Sequence, residues 1–517
     1  MDPKAKVLFV GLDGIEPELA LKMCDAGDMP VLQSMREEGV WGMNATPPGF
    51  GDGVMWSCVF TGVNPAKHGR YFYHQLRSGT YQTFFFKEDT DFKNEPLWAE
   101  LSRAGKRVAV IDMVHGPLIK DLNGIQIVDW LVHDREDVPR SWPPELIKTV
   151  IARYGDDPFG GTTDAARKKA ADYVELCDRM AERIRTKTEM SCACLDEGPW
   201  DLFMTGYADP HDVGHQCWHL HDPSHPRYDA QLVAEMGDPV KRMYVLIDQA
   251  VGRLVEKAGP GATVIVFGGL GMESNYTANF LLDQILRRLE GTEGLTYVDT
   301  LKKVYRAVTP PALRIRLARF GQRREQKLLV SDWRRRKCFT IPHNDNSGAV
   351  RINLAGREPD GKVQPGPECD AFVEALTRDL MDITNLETGE PLVGEVVRVS
   401  DQCAGDYLDD LPDLFVVWHR PNPIRKIGSR RIGVIEAEYP GSRTGDHTPR
   451  AIFFARGPGI VPVGQIGETP VLDIGRTVEA LLGVTPEDMD GDPIPEVTAA
   501  ERHVARLSSH HDHARRE

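Results

Sequence analysis

Short apolar runs recur along the chain, and each is bounded by polar or turn residues. These runs are apolar at nearly every position, which is typical of strands that are buried on both faces in a parallel sheet. The six runs occupy residues 6–12, 107–111, 202–207, 263–267, 414–418 and 451–455.

Helical patterns lie between the runs, and residues 17–39 and 163–197 are the longest examples. The second is rich in Ala, Glu, Lys, Arg and Met, whose side chains lose little freedom in a helix. Strands that alternate with helices predict an α/β fold with a doubly wound, mostly parallel sheet flanked by helices.

The alternation breaks in the segment 274–391, which we interpret as an inserted cap region. It contains an amphipathic helical pattern at 280–289, a basic stretch at 314–337 and a strand-like run at 349–354. The basic stretch could hold an anionic substrate or an acidic partner, or it could be the solvated face of a helix. The predicted organisation is an α/β core at 1–273 and 392–495, the cap at 274–391, and a polar, disordered tail at 496–517.

The composition narrows the class of function. The chain has 517 residues and a net charge of −15, from 62 Lys and Arg against 77 Asp and Glu. An acidic surface argues against nucleic acid as a partner. No apolar run reaches the ~18 residues that a membrane span requires. The N-terminus enters a strand without an apolar signal core, so we expect a cytoplasmic protein.

Polar residues that can do chemistry follow the predicted strands. Ligands of open α/β sheets bind at the carboxyl ends of the strands. Asp13 ends the first run, and Asp52 and Ser57 lie in a glycine-rich segment where a helix is expected to begin. A helix N-terminus favours anions. The alternative for each of these residues is a polar turn or a helix cap.

Histidines form the strongest pattern. His211 and His215 follow a buried run and are four residues apart, so that a helix presents both on one face, where they can bind one metal ion. His447 leads into the last core strand and could supply a third ligand.

Several motifs together resemble one known family. They are the strand ending in Asp13-Gly14, the stretch from Trp56 through Thr61-Gly62 to His68-Gly69, and the turn Gly445-Asp446-His447. In combination they resemble the alkaline phosphatase superfamily, and most of all its type I phosphodiesterase/nucleotide pyrophosphatase branch. Residues 352–359 and 473–483 are also similar to recurring segments of that branch, and the resemblance covers residues 5–495.

The resemblance implies two zinc ions beside a Thr or Ser nucleophile. The first metal takes an Asp, a His four residues later and a distant His. These places fall on His211, His215 and His447, so that a histidine stands where the family has Asp.

The other ligand places depart further from the family pattern. Asp13 matches a ligand of the second metal, but the Asp–His pair falls on Gly269 and Leu270, whose side chains cannot bind zinc. The nucleophile's place falls on Asp52, and Ser57 and Thr46 are the nearby alternatives.

These substitutions predict a metal-dependent hydrolase that acts on a phosphoester or related ester through a mono-metal, three-histidine centre. Zinc is the expected metal, and such a site brings the pKa of a bound water to about 7. Fe(II), Mn(II) or Cu(II) would also suit these donors. Asp13 and Asp52 could act as general bases or orient an imidazole, and Asp52 could instead attack the substrate.

Further expectations concern the substrate. We expect a small anionic molecule, and His343, Asn344 and Asp345, which precede the strand-like run of the cap, are candidates for binding it. A polar turn is the alternative for these three residues.

Two other classes of function stay open. One is an enzyme whose single metal does non-phosphoryl chemistry, such as C–N or C–C cleavage. The other is a binding protein that kept the fold and lost catalysis. The change at His211 exchanges one good metal ligand for another. This exchange favours a retained metal and hence an enzyme.

Metal content tests these hypotheses. We expect about one metal ion per purified chain, and we expect His215→Ala to lose it, because the change removes one of three ligands. A metal-free protein with an intact fold would contradict both enzyme hypotheses. If the metal is present, a panel of aryl phosphomonoesters, phosphodiesters and sulfates separates them, since inertness toward all of these excludes phosphoryl chemistry.

Overall fold

The structure is a computed structural model that describes residues 3–133, 138–160, 162–292, 330–486 and 488–498, with the backbone alone at Asp52. Much of the predicted basic stretch, residues 314–329, and most of the predicted tail, residues 499–517, lie outside this part. No helix in the described ranges has the length and apolar character that a membrane crossing needs.

The described strands follow one another from near the N-terminus to the last helix. In chain order they are β1 (Ala5–Leu12), β2 (Val40–Ala45), β3 (His74–Leu76), β4 (Thr83–Phe85), β5 (Val108–Ile111), β6 (Gly124–Val128), β7 (Arg140–Trp142), β8 (Trp200–Tyr207), β9 (Thr263–Phe267), β10 (Gly271–Ser274), β11 (Cys338–Ile341), β12 (Ser347–Ile352), β13 (Thr384–Asn385), β14 (Val393–Arg398), β15 (Leu414–Trp418), β16 (Lys426–Ser429), β17 (Gly433–Glu436), β18 (Gly445–Thr448), β19 (Arg450–Arg456), β20 (Gly464–Gln465) and β21 (Thr469–Pro470).

The described α-helices lie between these strands. They are α1 (Pro17–Ala26), α2 (Pro30–Glu38), α3 (Asp52–Thr61), α4 (Pro65–His68), α5 (Glu88–Asp91), α6 (Leu97–Arg103), α7 (Leu146–Tyr154), α8 (Ala170–Asp196), α9 (Asp209–His221), α10 (Ala230–Met236), α11 (Pro239–Ala258), α12 (Asn279–Glu290), α13 (Pro367–Met381) and α14 (Leu472–Leu481).

The chain forms two compact units, and their bounds differ from the predicted ones. The first unit comprises Met1–Gly69, Lys87–Asn275 and Gly441–Glu517, and the second comprises Arg70–Phe86 and Tyr276–Pro440. The second unit therefore runs well past the predicted end of the cap at residue 391, and it also takes in an early segment that carried no signal of belonging there.

A large, mostly parallel sheet organises the first unit. Its strand order is β20-β2-β19-β9-β1-β8-β5-β6-β7, and β21 also pairs with β2. Strands β9, β1, β8, β5 and β6 run parallel, whereas β7 and β19 are antiparallel to their neighbours. The predicted α/β class with a mostly parallel sheet is confirmed.

Strand β1 lies at the centre of this sheet and is buried on both faces. Leu8 and Val10 belong to a core cluster that also contains residues of α8, α9 and α11. Phe9 points the other way along the pleat and packs on Phe267 of β9, with ring centroids 6.5 Å apart. Trp56 of α3 packs edge-on against the same Phe267 at 5.4 Å. Helices therefore cover both faces, and this explains why the strand is apolar from Val7 to Leu12.

The second unit has separate antiparallel sheets. Strands β11, β12, β15 and β14 form one sheet in that order, β13, β16 and β17 form another, and β3 pairs with β4. The run at 414–418 is therefore β15, between β12 and β14, and its prediction as a strand of the parallel sheet is wrong. A strand buried on both faces has the same apolar pattern in either kind of sheet, so the pattern could not decide which sheet it joins.

Two predicted helices have different bounds in the structure. The pattern at 17–39 forms α1 and α2, because Gly27 ends α1 with φ 82° and Pro30 begins α2. The pattern at 163–197 yields a helix only from Ala170 onward, and the residues before it form a loop.

A buried ion pair connects the large sheet of the first unit to α8. Lys187 of α8 is fully buried, and its ammonium lies 2.7 Å from a carboxylate oxygen of Asp112. The same ammonium donates to the carbonyl oxygens of Leu131 and Gly206, at 2.9 Å each. Asp112 also accepts hydrogen bonds from the backbone N–H groups of Trp130 and Leu131. This cluster fixes the loop after β6.

Removing that ammonium should destabilise the protein strongly. Lys187→Met leaves the Asp112 carboxylate buried without its cation, and breaking a buried pair in this way costs about 3 kcal/mol or more. Lys148→Met is the matched control, because Lys148 and Glu145 are 72% and 78% exposed. Its cost should stay below about 0.5 kcal/mol. Denaturant unfolding measures both, and equal stability of the two variants would contradict the assigned role.

Candidate metal centre

Helix α9 begins where the central strand β8 ends. β8 stops at Tyr207, and α9 starts at Asp209 with Pro210 in its first turn. Proline suits this position, because the first N–H groups of a helix have no partner within the helix. The helix therefore presents its first turns at the carboxyl end of the sheet, beside β1. Its residues from Asp209 to Leu220 are all buried.

Two buried ion pairs hold this first turn. Arg183 of α8 is 1% exposed, and its Nε lies 2.8 Å from a carboxylate oxygen of Asp209. Its guanidinium also donates to Asp212. Carboxylates in the first turn are favourable beside the positive end of the helix dipole. These ion pairs therefore fix the orientation of α9 at its first turn, which contains His211.

The structure brings the three predicted histidines together. His211 and His215 share one face of α9, and their Nε2 atoms are 3.2 Å apart. The ring centroid of His447 on β18 lies 4.9 Å from the centroid of each of the other two rings. One nitrogen from each ring falls within a group whose atoms are all within 4.8 Å of one another, and all three side chains are buried.

Backbone carbonyls orient two of these rings. His215 Nδ1 lies 2.7 Å from the carbonyl oxygen of Gly445, and His447 Nδ1 lies 3.3 Å from that of Gly271. A ring that donates its Nδ1 proton to a carbonyl keeps the Nε2 lone pair for a metal, which is the usual arrangement around metal-binding histidines.

Burial keeps His211 neutral. It lowers the pKa of His211 well below the usual range, and the neighbouring His133, His215 and His447 lower it further. Neutral imidazole is the form that binds metal ions. Three converging imidazoles, two of them oriented by carbonyls, fit a divalent metal of the zinc type.

A fourth histidine, His133, was missed from the sequence. It follows the loop after β6, and its Nε2 lies 2.8 Å from a carboxylate oxygen of Asp13. Its ring stacks on His211, with centroids 3.8 Å apart and an interplanar angle of 12°. Asp13, His133 and His211 form a second group with ligand atoms close enough to hold a metal. The available signal was the apolar run 130–132, which ends at this histidine.

Asp13 joins the cluster to α3. The indole N–H of Trp56 donates to one carboxylate oxygen at 2.7 Å, and His133 contacts the other. Both oxygens are therefore engaged in a side chain that is fully buried. This geometry favours a role in orienting an imidazole over the alternative role as a general base.

Two other predicted site residues, Asp52 and Ser57, lie on α3. Asp52 begins α3, but its side chain is not described, and its catalytic role stays a prediction. Ser57 is buried, and its hydroxyl donates to the carbonyl of Gly53 within α3 at 2.7 Å. A hydroxyl in this bond is occupied, so nothing in its surroundings favours a catalytic role.

The three candidate substrate residues lie in the second unit. The ring of His343 stacks on Phe415, with centroids 4.7 Å apart. The carbonyl of Asn344 accepts from Asn279, and the carboxylate of Asp345 accepts from the Tyr439 hydroxyl at 2.6 Å. These contacts are those of a structured turn, and substrate binding by these residues stays a prediction.

Comparison with known proteins identifies the family. The sequence matches the family of type I phosphodiesterases / nucleotide pyrophosphatases over residues 7–420, and the chain belongs to this family, as its motifs predicted. The family is one of hydrolases, so the chain is a hydrolase. A search of curated protein sequences finds no match.

Several solved structures share the fold. Phosphonoacetate hydrolase from Sinorhizobium meliloti 1021 in complex with phosphonoacetate has a TM-score of 0.54 and 14% identity, over 93% of this chain and 96% of that chain. The same enzyme with phosphonoformate gives 0.52 and 15% over the same shares. Murine ectonucleotide pyrophosphatase / phosphodiesterase 5 gives 0.47 and 13%, over 94% and 97%. At these identities the likeness concerns the fold alone.

The turn after β1 offers a test of how closely the site is packed. Gly14 has φ +74°, and a Cβ there would lie 2.6 Å from the Cα of His211. We expect Gly14→Ala to displace His211 and to weaken zinc binding about tenfold or more, as changes beside metal ligands do. Competition with a chelating dye measures the affinity.

Gly27→Ala is the matched control. Gly27 has φ +82°, but a Cβ there would meet no atom within 4 Å. Its replacement should cost only the backbone strain of about 1 kcal/mol and leave zinc affinity unchanged. Equal zinc affinities in the two variants would show that Gly14 does not position His211.

Proposed function

We propose that the chain is a metal-dependent phosphoester hydrolase with a mono-metal centre on His211, His215 and His447. The observation that carries the proposal is the convergence of three buried imidazoles to within 4.8 Å, in a chain that belongs to a phosphodiesterase family. Zinc is the proposed metal, because catalytic zinc sites have three protein ligands with an open position, and three imidazoles are one such ligand set.

The residues of the centre have distinct proposed roles. When bound, the metal supplies a Lewis acid and an activated water near neutral pH. His215 and His447 hold their Nε2 atoms toward it through hydrogen bonds to Gly445 and Gly271. Asp13 holds His133, which in turn packs on the face of His211. This stacking limits the rotation of His211 and so keeps its nitrogen aimed at the other two rings.

Asp52 is the proposed partner of the reacting group. It is the first residue of α3, a helix of ten residues. The N-terminus of a helix favours anions, so a phosphoryl group could sit there. Its carboxylate would act as general base or as nucleophile.

The proposed substrate is a small phosphoester anion. Phosphodiesters and nucleotide pyrophosphates are the classes that the family description names. Phosphonates are a further group to test, because phosphonoacetate and phosphonoformate are the ligands of the similar solved structures. The cytoplasmic location expected from the sequence stays a prediction.

A substrate panel tests the function. Zinc-loaded protein should hydrolyse at least one of bis(p-nitrophenyl) phosphate, a p-nitrophenyl nucleotide ester and p-nitrophenyl phosphate. His447→Ala should lower kcat/KM more than about 100-fold, since loss of a ligand forfeits several kcal/mol of charge stabilisation. Release of p-nitrophenol gives the rates.

His221→Ala is the control for the loss of an imidazole from α9. His221 lies on the same helix, but its Nδ1 pairs with Asp238 at 2.7 Å, away from the cluster. It should keep both zinc and activity. A zinc-loaded wild-type protein that cleaves neither these esters nor phosphonoacetate would overturn the proposed function.

A further inference from the structure

An arginine lies at the edge of the three histidines. Arg443 comes just before β18, the strand that carries His447, and its Nη1 lies 3.4 Å from Nε2 of His215. We infer that Arg443 is an anion-binding residue that takes the non-bridging oxygens of a phosphoryl or phosphonyl group at the centre. This inference rests on the proposed function and names the group that recognises the substrate's charge.

The backbone beside Arg443 is fixed to α9. The N–H of Thr444 donates to the carbonyl of His215 at 2.7 Å, and the N–H of Asn275 donates to the carbonyl of Thr444 at 2.8 Å. The Thr444 hydroxyl also contacts the ring of His219 at 3.1 Å. Thr444 is buried. The root of the Arg443 side chain therefore keeps one position relative to the metal-binding face of the helix.

A carboxylate aims the guanidinium. Nε of Arg443 lies 3.2 Å from both oxygens of Asp164, and Nη2 lies 3.1 Å from one of them. Asp164 is itself held by the side-chain amide of Gln216, at 2.6 Å, and Gln216 follows His215 on α9. Helix α9 therefore carries both His215, a proposed metal ligand, and Gln216, which holds the carboxylate of Asp164. That carboxylate in turn directs Arg443.

This ion pair is open to exchange. The side chains of Arg443 and Asp164 are 28% and 40% exposed, in contrast to the buried pairs of Arg183. Exposed ion pairs contribute little to stability, because water competes for both partners. A phosphoryl group can therefore compete with Asp164 for the guanidinium at small cost. A planar guanidinium also matches two oxygens of such a group at once.

The positive charge of Arg443 lies beside the three histidines, with Nη1 3.4 Å from Nε2 of His215. A phosphoryl anion at the centre would therefore meet both the proposed metal and the guanidinium. The three imidazoles add no negative charge of their own, so the combined site is strongly cationic.

The competing explanation is purely structural. In that case Arg443 serves only to hold the loop at Asp164, and loss of either partner would have the same effect. If Arg443 binds the anion, the two losses differ, because Asp164 competes with the ligand for the guanidinium. The variants Arg443→Gln and Asp164→Asn distinguish the explanations. The asparagine keeps an oxygen for the amide of Gln216.

Binding of inorganic phosphate to the zinc-loaded full chain, measured by calorimetry, is the test. Arg443→Gln should raise the Kd about tenfold or more, since a hydrogen bond to a charged group is lost. Arg443→Lys, which keeps the charge, should lose less. Asp164→Asn should bind phosphate as tightly as wild type or more tightly. All variants should keep the wild-type zinc content.

The control for loss of a surface arginine is Arg179→Gln. Arg179 forms an exposed pair with Glu175 on α8, with side chains 49% and 63% exposed. Its phosphate affinity should equal that of wild type. The inference is overturned if wild type binds no phosphate, if Arg443→Gln binds it as wild type does, or if Arg443→Gln and Asp164→Asn weaken it equally.

These outcomes are separate from those of the proposed function. Phosphate binding that depends on Arg443, in a protein that cleaves neither the panel esters nor phosphonoacetate, would support this inference and reject the proposed phosphoester reaction. Cleavage that is unaffected by Arg443→Gln, with unchanged phosphate affinity, would do the reverse.

Discussion

The candidate site depends on the way α9 is held at its first turn. Arg183 reaches Asp209 and Asp212 from α8, and all three side chains are buried. Such a cluster is costly to desolvate and is strongly destabilised when one partner is lost, so it fixes one orientation of the helix. The positions of His211 and His215 follow from that orientation, because their spacing places them on one face.

Helix α9 also positions residues outside the helix through hydrogen bonds. Asp212 accepts a hydrogen bond from the hydroxyl of Thr163 at 2.7 Å, and Gln216 binds Asp164. The carbonyl oxygen of His215 accepts a hydrogen bond from the N–H of Thr444. This bond fixes the position of β18 beside α9, and hence that of His447. The helix is therefore the common support of the metal ligands, of the carboxylate that directs Arg443, and of the strand that supplies the third histidine.

The sequence could predict those site residues that lie at a characteristic spacing within one element. The pair His211 and His215 needed only helical geometry, and His447 was suggested by its place before the last core strand and then by the resemblance to the family. His133 and Arg443 could not be found in this way, because each reaches the centre through contacts with residues more than seventy positions away. The apolar run 130–132 marks His133 only as a polar residue after a buried segment, and no period or motif around Arg443 indicates its contact with His215.

The fold could also be predicted only in part: the buried strands could be recognised, but not all of their partners. The parallel strands were recognised by burial on both faces, but burial does not say which sheet a strand joins. This is why 414–418 was assigned to the wrong sheet, and why the second unit extends further than predicted. The segment Arg70–Phe86 was missed because its two short strands pair with each other and carry little pattern of their own.

The turn at Gly269 explains how the centre departs from its family. Gly269 has φ +59°, and a Cβ there would lie 3.2 Å from the backbone N of Gly14 and from the carbonyl oxygen of Leu12. Leu270 beside it is fully buried. The chain thus packs apolar and backbone atoms where the resemblance implies an Asp–His pair. Asp13, which would have shared a second metal with that pair, instead contacts His133.

The charge of the centre depends on the residues that stand where the resemblance implies carboxylates. An Asp–His pair and an Asp at position 211 would each have added negative charge near the substrate, whereas Leu270 and His211 add none. In the proposed site a divalent ion on three neutral rings would keep its full charge, and Arg443 would add another positive charge at its edge. Asp13 keeps a carboxylate oxygen within 4.8 Å of a nitrogen of His211, and Trp56 and His133 contact its two oxygens. Loss of a second cation therefore need not leave a doubly charged phosphoryl group without a counter-charge, because the chain has removed carboxylates and placed a guanidinium at the same centre.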